Sequence, residues 1–135
     1  KMLLQVCDNI ENGSVEAKTQ DPDEGSYFTK RFPKDGEVNW KSMEDKQIYN
    51  LVRALTQPYP GAFFYYNGKK VFIWEASLEK RNYYGISGRV TTRAGGGVVI
   101  IAKNRGLRVL KVQVEGEEEI GARELFQKVG EDIAR

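Results

Sequence analysis

Lys30-Arg31, set beside Phe32, is the first point in the chain where residue types and spacing could do chemistry. An ammonium and a planar guanidinium next to an aromatic ring could clamp a phosphate or diphosphate, because the guanidinium can donate two parallel hydrogen bonds to such an anion. A solvated surface pair is the plainer alternative. Tyr83-Tyr84 sits in a polar stretch and could stack a base, as could Phe63–Tyr66, although core packing suits Phe63 and Phe64 better. Other groupings lead nowhere. Gly95-Gly96-Gly97 lacks the Lys-Ser/Thr ending and following helix of a phosphate loop and reads as a hairpin turn. Glu117-Glu118-Glu119 cannot converge on one metal ion and reads as a solvated loop. Asp35 and Glu37 lie in a turn with nothing to raise a carboxyl pKa.

The strongest exclusion comes from what is missing. The chain has no histidine, so a His-dependent triad cannot be assembled from it. One cysteine, Cys7, allows no internal disulfide and, with no histidine, no zinc site. This cysteine usage fits a reducing cytoplasm. The 135 residues are 40% hydrophobic and 30% charged, the balance of a folded domain. No apolar run is long enough to cross a bilayer, and no membrane partner is expected. The chain opens with Lys1 and reads as a piece of something longer. Net charge is +2 but uneven: Lys69–Lys111 carries ten Lys/Arg against two acids, and Val112–Arg135 three against seven. Such a basic middle could face a polyanion, or could be the solvated outer positions of strands.

The elements that would position these groups follow from periodicity. Leu3, Leu4, Val6, Cys7 and Ile10 make an amphipathic helix over residues 2–12, stopped by Gly13. Val15, Ala17 and Thr19 alternate as a short strand would. Turns follow at Asp21–Gly25 and at Pro33–Gly36, the latter a domain boundary. Ile48, Leu51, Val52 and Leu55 form the apolar stripe of a second helix, about 43–56, with Ser42 as its cap and Pro58 as its stop. Strands are expected at Ala62–Tyr66, Lys69–Leu78, Ser87–Arg93, Val98–Lys103 and Leu107–Val114, with Asn67-Gly68 as a two-residue hairpin turn. In Lys69–Leu78 both faces are apolar; one fills the barrel and the other meets the Ile48–Leu55 helix or another domain. A last helix runs over about 122–133. Several short strands at regular spacing between two helices make the fold class α+β, mainly β, with a small barrel or sandwich as the main body.

Ile48–Ser77, "IYNLVRALTQPYPGAFFYYNGKKVFIWEAS", resembles the entry into the C-terminal domain of formyltransferases that use 10-formyltetrahydrofolate. "KRFPKDGEVNW", "LKVQVEGEEE" and "ARELFQ" fit the same family, and the spacing of Arg53, Pro58, Pro60, Gly61 and Phe63 is the most specific part. Two branches compete: methionyl-tRNA formyltransferase, and the sugar-nucleotide formyltransferases that include the aminoarabinose enzyme of lipid A modification. Tyr59, where the tRNA branch tends to have tryptophan, tilts toward sugars; the basic middle tilts toward tRNA.

The resemblance implies an open antiparallel, OB-like barrel over about 61–114 within a C-terminal domain, residues 34–135. It places the catalytic Asn, His and Asp and the folate site in a Rossmann-like N-terminal α/β domain of which this sequence would keep only the tail, a last helix and strand in residues 1–33. No catalytic residue and no cofactor is expected on this chain. Its implied role is to position the acceptor, a tRNA or a nucleotide sugar, beside its own catalytic domain in the cytoplasm. Pro58–Gly61 would be a rigid elbow walling the substrate side, and Lys30, Arg31, Arg53 and Tyr59 are the candidate substrate-binding residues. The rival reading is a stand-alone nucleic-acid-binding barrel without activity; a degenerate remnant with no ligand is the third.

Overall fold

The computed structural model describes residues 2–133. The chain divides into two compact units, Lys1–Lys30 and Arg31–Arg135. In the first, α1 (Met2–Glu11) forms where the amphipathic pattern places it, and Gly13 takes a left-handed conformation just beyond it. None of the α1 residues is buried. The expected strand at Val15–Thr19 is absent: those residues have no regular structure and are exposed, so no neighbouring strand satisfies their backbone. A 3-10 turn covers Pro22–Glu24, with the Asp21 carboxylate accepting the Asp23 N–H.

The second unit is a curled antiparallel half-barrel, as expected. Its six strands are β1 (Ala62–Tyr66), β2 (Lys69–Leu78), β3 (Val90–Thr92), β4 (Val98–Ile101), β5 (Gly106–Val114) and β6 (Glu119–Gly121). The order across the sheet is β1-β2-β5-β4-β3, with β6 also on β5. Asn67 and Gly68 both take positive φ (51° and 75°), the requirement of the tight turn joining β1 to β2. β6 was not anticipated, because three residues are too few to show alternation.

Both edges of the sheet are partly covered. Beside β1, Val38 donates its N–H to the Phe63 carbonyl at 2.6 Å, and Glu37 bridges Phe63 in parallel. Beside β3, Val90 donates to the Glu131 carbonyl at 2.9 Å and receives the Gly130 N–H at 2.7 Å, while Ile133 donates to Gly88 at 2.8 Å. These pairings take up part of the unpaired N–H and C=O rows that make edges prone to self-association. They also correct the terminal helix: α3 is one turn, Ala122–Leu125. The chain then leaves the helix so that Phe126 can fill the core and Gly130 can turn, at φ +87°, into the edge pairing.

The second helix, α2, is Asp45–Leu55. Its cap is Glu44 rather than Ser42, and Gln47 Oε1 accepts the Glu44 N–H at 2.8 Å. Ile48 and Val52 enter the same core as Val71 and Ile73. The helix thus covers the Val71/Ile73 face of β2, not the Phe72/Trp74 face. A bulge at Glu75 explains the two-sided pattern of β2: the register shifts there, so Ala76 joins the core side and Glu75 is exposed. Among the described residues no helix is long and apolar enough to cross a membrane.

Candidate functional site

The elbow after α2 is built by three features. Gly61 returns its N–H to the Leu55 carbonyl (2.9 Å) and Tyr59 donates to Thr56 (3.1 Å), so Thr56–Pro60 closes into a compact loop at the helix end. The Gln57–Pro58 bond is cis. Gly61 has φ +88°, and a Cβ there would lie 2.9 Å from both the Phe72 and the Trp74 rings. Those rings stack on each other at 5.6 Å and 18°, and they press against the corner. Phe63 packs edge-on against Phe72, under the Lys70 ammonium at 4.2 Å. The corner is therefore backed by an aromatic block and presents Tyr59 outward.

In front of it lies a groove of about 540 Å³ lined by Arg31, Phe32, Pro33, Ala54, Leu55, Tyr59 and Pro60. Asp35 shapes its near wall by accepting the Phe32 N–H at 2.7 Å, which fixes the 3-10 turn at Pro33–Gly36. Gly36 lies against Leu55 and the Gly61 carbonyl, where a Cβ would come within 3.0 and 2.9 Å of them. Only a residue without a side chain lets that turn reach the elbow. The groove is mostly apolar, with exposed rings from Phe32 and Tyr59 and one guanidinium, Arg31. Such a surface can hold a flat or apolar group against a ring and an anion against Arg31.

Of the four sequence candidates, the structure brings Arg31 and Tyr59 together. Arg53 is not part of the groove lining: its guanidinium lies 5.3 Å from the centroid of the Tyr49 ring on α2. Lys30 ends the first unit and is exposed. Pro60, in the elbow expected to wall the substrate side, lines the groove; Pro33, Ala54 and Leu55 were not anticipated there, because the helix end was visible but its convergence on Arg31 was not.

Two side-chain contacts, one buried and one half-buried, tie distant parts of the second unit together. Asp45 opens α2 and is buried, accepting from Asn104 Nδ2 (2.8 Å) and Arg105 Nε (2.7 Å) on the β4–β5 turn. Burial pushes its carboxyl up, but hydrogen bonds from Asn104, Arg105 and the Lys46 backbone, together with the Arg105 charge, hold it below its ordinary value. At the closing edge Tyr66 donates its hydroxyl to Glu131. Burial, then the Glu131 carboxylate as partner and charge, raises the Tyr66 phenol. Among the described residues no group of acidic, cysteine or histidine side chains could hold a metal ion.

Residues 31–130 match the formyl transferase C-terminal domain family, and the chain belongs to it. It is 40% identical over 91 residues to the bifunctional polymyxin resistance protein ArnA of Wigglesworthia glossinidia brevipalpis, covering 67% of this chain and 13% of ArnA. Among solved structures it resembles a variant of HypX from Aquifex aeolicus (TM-score 0.65, 22% identity, 96% of this chain and 24% of HypX). HypX in complex with tetrahydrofolic acid is similar at TM-score 0.64 and 20% identity, over 91% of this chain and 22% of that one. The HypX likeness is one of fold. The chain spans about an eighth of ArnA and a quarter of HypX.

Proposed function

We propose that this chain is the acceptor-positioning domain of a formyltransferase that moves a formyl group from 10-formyltetrahydrofolate to an amine, and that the acceptor is an amino-sugar nucleotide. The single observation that carries this reading is the meeting of Arg31 and Tyr59 in one groove of a formyl transferase C-terminal domain. Arg31 would take the diphosphate through paired N–H donors, and the Tyr59 and Phe32 rings would hold the base or sugar face. Fixing the acceptor in this way lowers the barrier by prepaid orientation. The donor supplies the formyl carbon that the acceptor amine attacks. The groups that bind the folate and move protons belong to a catalytic domain outside this chain. The exposed stripe Leu3, Leu4, Val6 and Ile10 on α1 is apolar surface that such a domain would cover, in the cytoplasm.

A small acceptor suits this surface better than tRNA. Of the ten basic residues in Lys69–Lys111, five are engaged in ion pairs: Lys69 with Glu117, Lys70 with Glu115, Arg105 with Asp45, Arg108 with Glu79, and Lys111 with Glu75 and Glu119. Half of the basic residues in the stretch are thus paired with carboxylates of this chain, which reduces the cationic surface it could offer a large polyanion. The test is formyl transfer by the whole protein to UDP- or dTDP-linked amino sugars and, separately, to methionyl-tRNA. Transfer to an amino-sugar nucleotide with little to methionyl-tRNA is expected; the reverse preference would overturn the assignment.

A further inference from the structure

The loop between β2 and β3 contains a second basic pair, Lys80-Arg81, held in an unusual way. The loop is pinned on both sides of it. Glu79 accepts from Arg108 Nε, and Arg108 also donates to the Ala94 carbonyl, so this guanidinium is fixed and only 12% exposed. On the other side Asn82 Oδ1 accepts from Arg105 Nη1 (3.3 Å), the same guanidinium that holds Asp45, and the Tyr83 carbonyl accepts the Gly106 N–H at 2.8 Å. Tyr83 packs so close to β5 that a Cβ on Gly106 would meet its own Cβ at 2.9 Å. Between these pins Lys80 and Arg81 are exposed and make no ion pair among the described residues. They line a pocket of about 420 Å³ with Glu79, Tyr83, Gly95 and Arg108. No residue of this pocket belongs to the Arg31–Tyr59 groove.

We propose that this pocket is a phosphate-binding site for a nucleotide, separate from the groove and independent of the formyl-transfer reading. Lys80 and Arg81 are two uncompensated cations on a loop backbone pinned on both sides, so binding costs little further conformational entropy. Lys80 and Arg81 supply the charge-assisted donors. The Tyr83 ring walls the pocket, and Tyr84, 71% exposed, offers a face on which a base can stack. The Gly95 turn contributes by what it lacks: a Cβ there would lie 3.0 Å from Arg108 Nη1 and displace it.

The phosphate can come from a free nucleotide or from a nucleic-acid strand, and the test separates them. The whole protein, carrying Arg31→Ala so that the groove does not contribute, is titrated calorimetrically with inorganic pyrophosphate, UMP and an oligouridylate. Lys80→Ala/Arg81→Ala should weaken pyrophosphate and UMP binding by about tenfold or more, while Lys80→Arg/Arg81→Lys keeps most of it. An oligouridylate that binds no tighter than UMP assigns the site to free nucleotides. One that binds much tighter, with a steep loss as salt rises, assigns it to a nucleic-acid backbone. Absence of binding by all three probes, or an affinity unchanged in the alanine variant with an unchanged melting temperature, would overturn the site.

Discussion

Asp45 and Asn104, 59 residues apart, hold each other through two hydrogen bonds: the Asp45 N–H donates to Asn104 Oδ1 at 2.9 Å, and Asn104 Nδ2 donates to Asp45 Oδ1 at 2.8 Å. One side chain thereby satisfies an otherwise unpaired N–H in the first turn of α2 and ties that helix to the β4–β5 turn. Because Asp45 is 1% exposed, its removal leaves Asn104 and Arg105 without their partner inside the protein. Asp45→Ala should cost about 2–4 kcal/mol, read from the urea midpoint at neutral pH. A loss well under 1 kcal/mol would mean that the pair is not holding the helix.

The same carboxylate sets a pH dependence. Its folded-state pKa lies below the ordinary value, so its contribution is fully present above the unfolded pKa of about 3.9 and is lost as pH falls through the lower, folded value. The difference in unfolding free energy between the native protein and Asp45→Asn should stay flat from about pH 5 to 8 and shrink steadily below about pH 4. Chemical denaturation across that range checks it; a difference that grows on acidification would contradict the sign.

Gly61 is the tightest point of the elbow. Alanine there must adopt φ +88° and place its Cβ 2.9 Å from two stacked rings. Gly61→Ala should destabilise by about 2–4 kcal/mol, combining a left-handed backbone penalty with overpacking. Thermal unfolding measures this directly, and a neutral result would show that the Phe72–Trp74 block yields easily.

Tyr66 and Glu131 close the barrel between β1 and the segment that follows α3. Tyr66→Phe removes the donor and leaves the half-buried Glu131 carboxylate without this hydrogen bond, at a cost of about 1 kcal/mol. Since Glu131 also accepts from Val90 through its backbone, amide exchange at Val90 should quicken in the variant while that at Val112, in β5, changes little.

The half-barrel was legible where the cause is local. Asn67-Gly68 announces its turn, the Ile48–Leu55 stripe its helix, and Pro58 the helix stop, because each acts through its own dihedrals or periodicity. What escaped is what distant residues do to each other. Glu44 rather than Ser42 caps α2 because Gln47 reaches back to it and Asn104 takes the next N–H. The phase change of β2 at Glu75 depends on its register with Lys111, which alternation within one strand does not reveal. Residues 126–133 carry too few apolar repeats to show that they leave the helix and pair with Gly88–Val90. For the site, Arg31 and Tyr59 could be named from type, spacing and resemblance, but their meeting is a tertiary fact; the Arg53–Tyr49 contact, four residues apart on α2, was open to a reading of helix spacing.

The most direct measurement is steady-state formyl transfer by the whole protein carrying Arg31→Ala and Tyr59→Ala, with an amino-sugar nucleotide as the varied acceptor. If the groove binds and orients the acceptor, the KM for that acceptor should rise about tenfold or more while the KM for 10-formyltetrahydrofolate is unchanged. An acceptor KM and kcat both equal to those of the native protein, or an effect confined to the folate KM, would contradict the assignment of this groove.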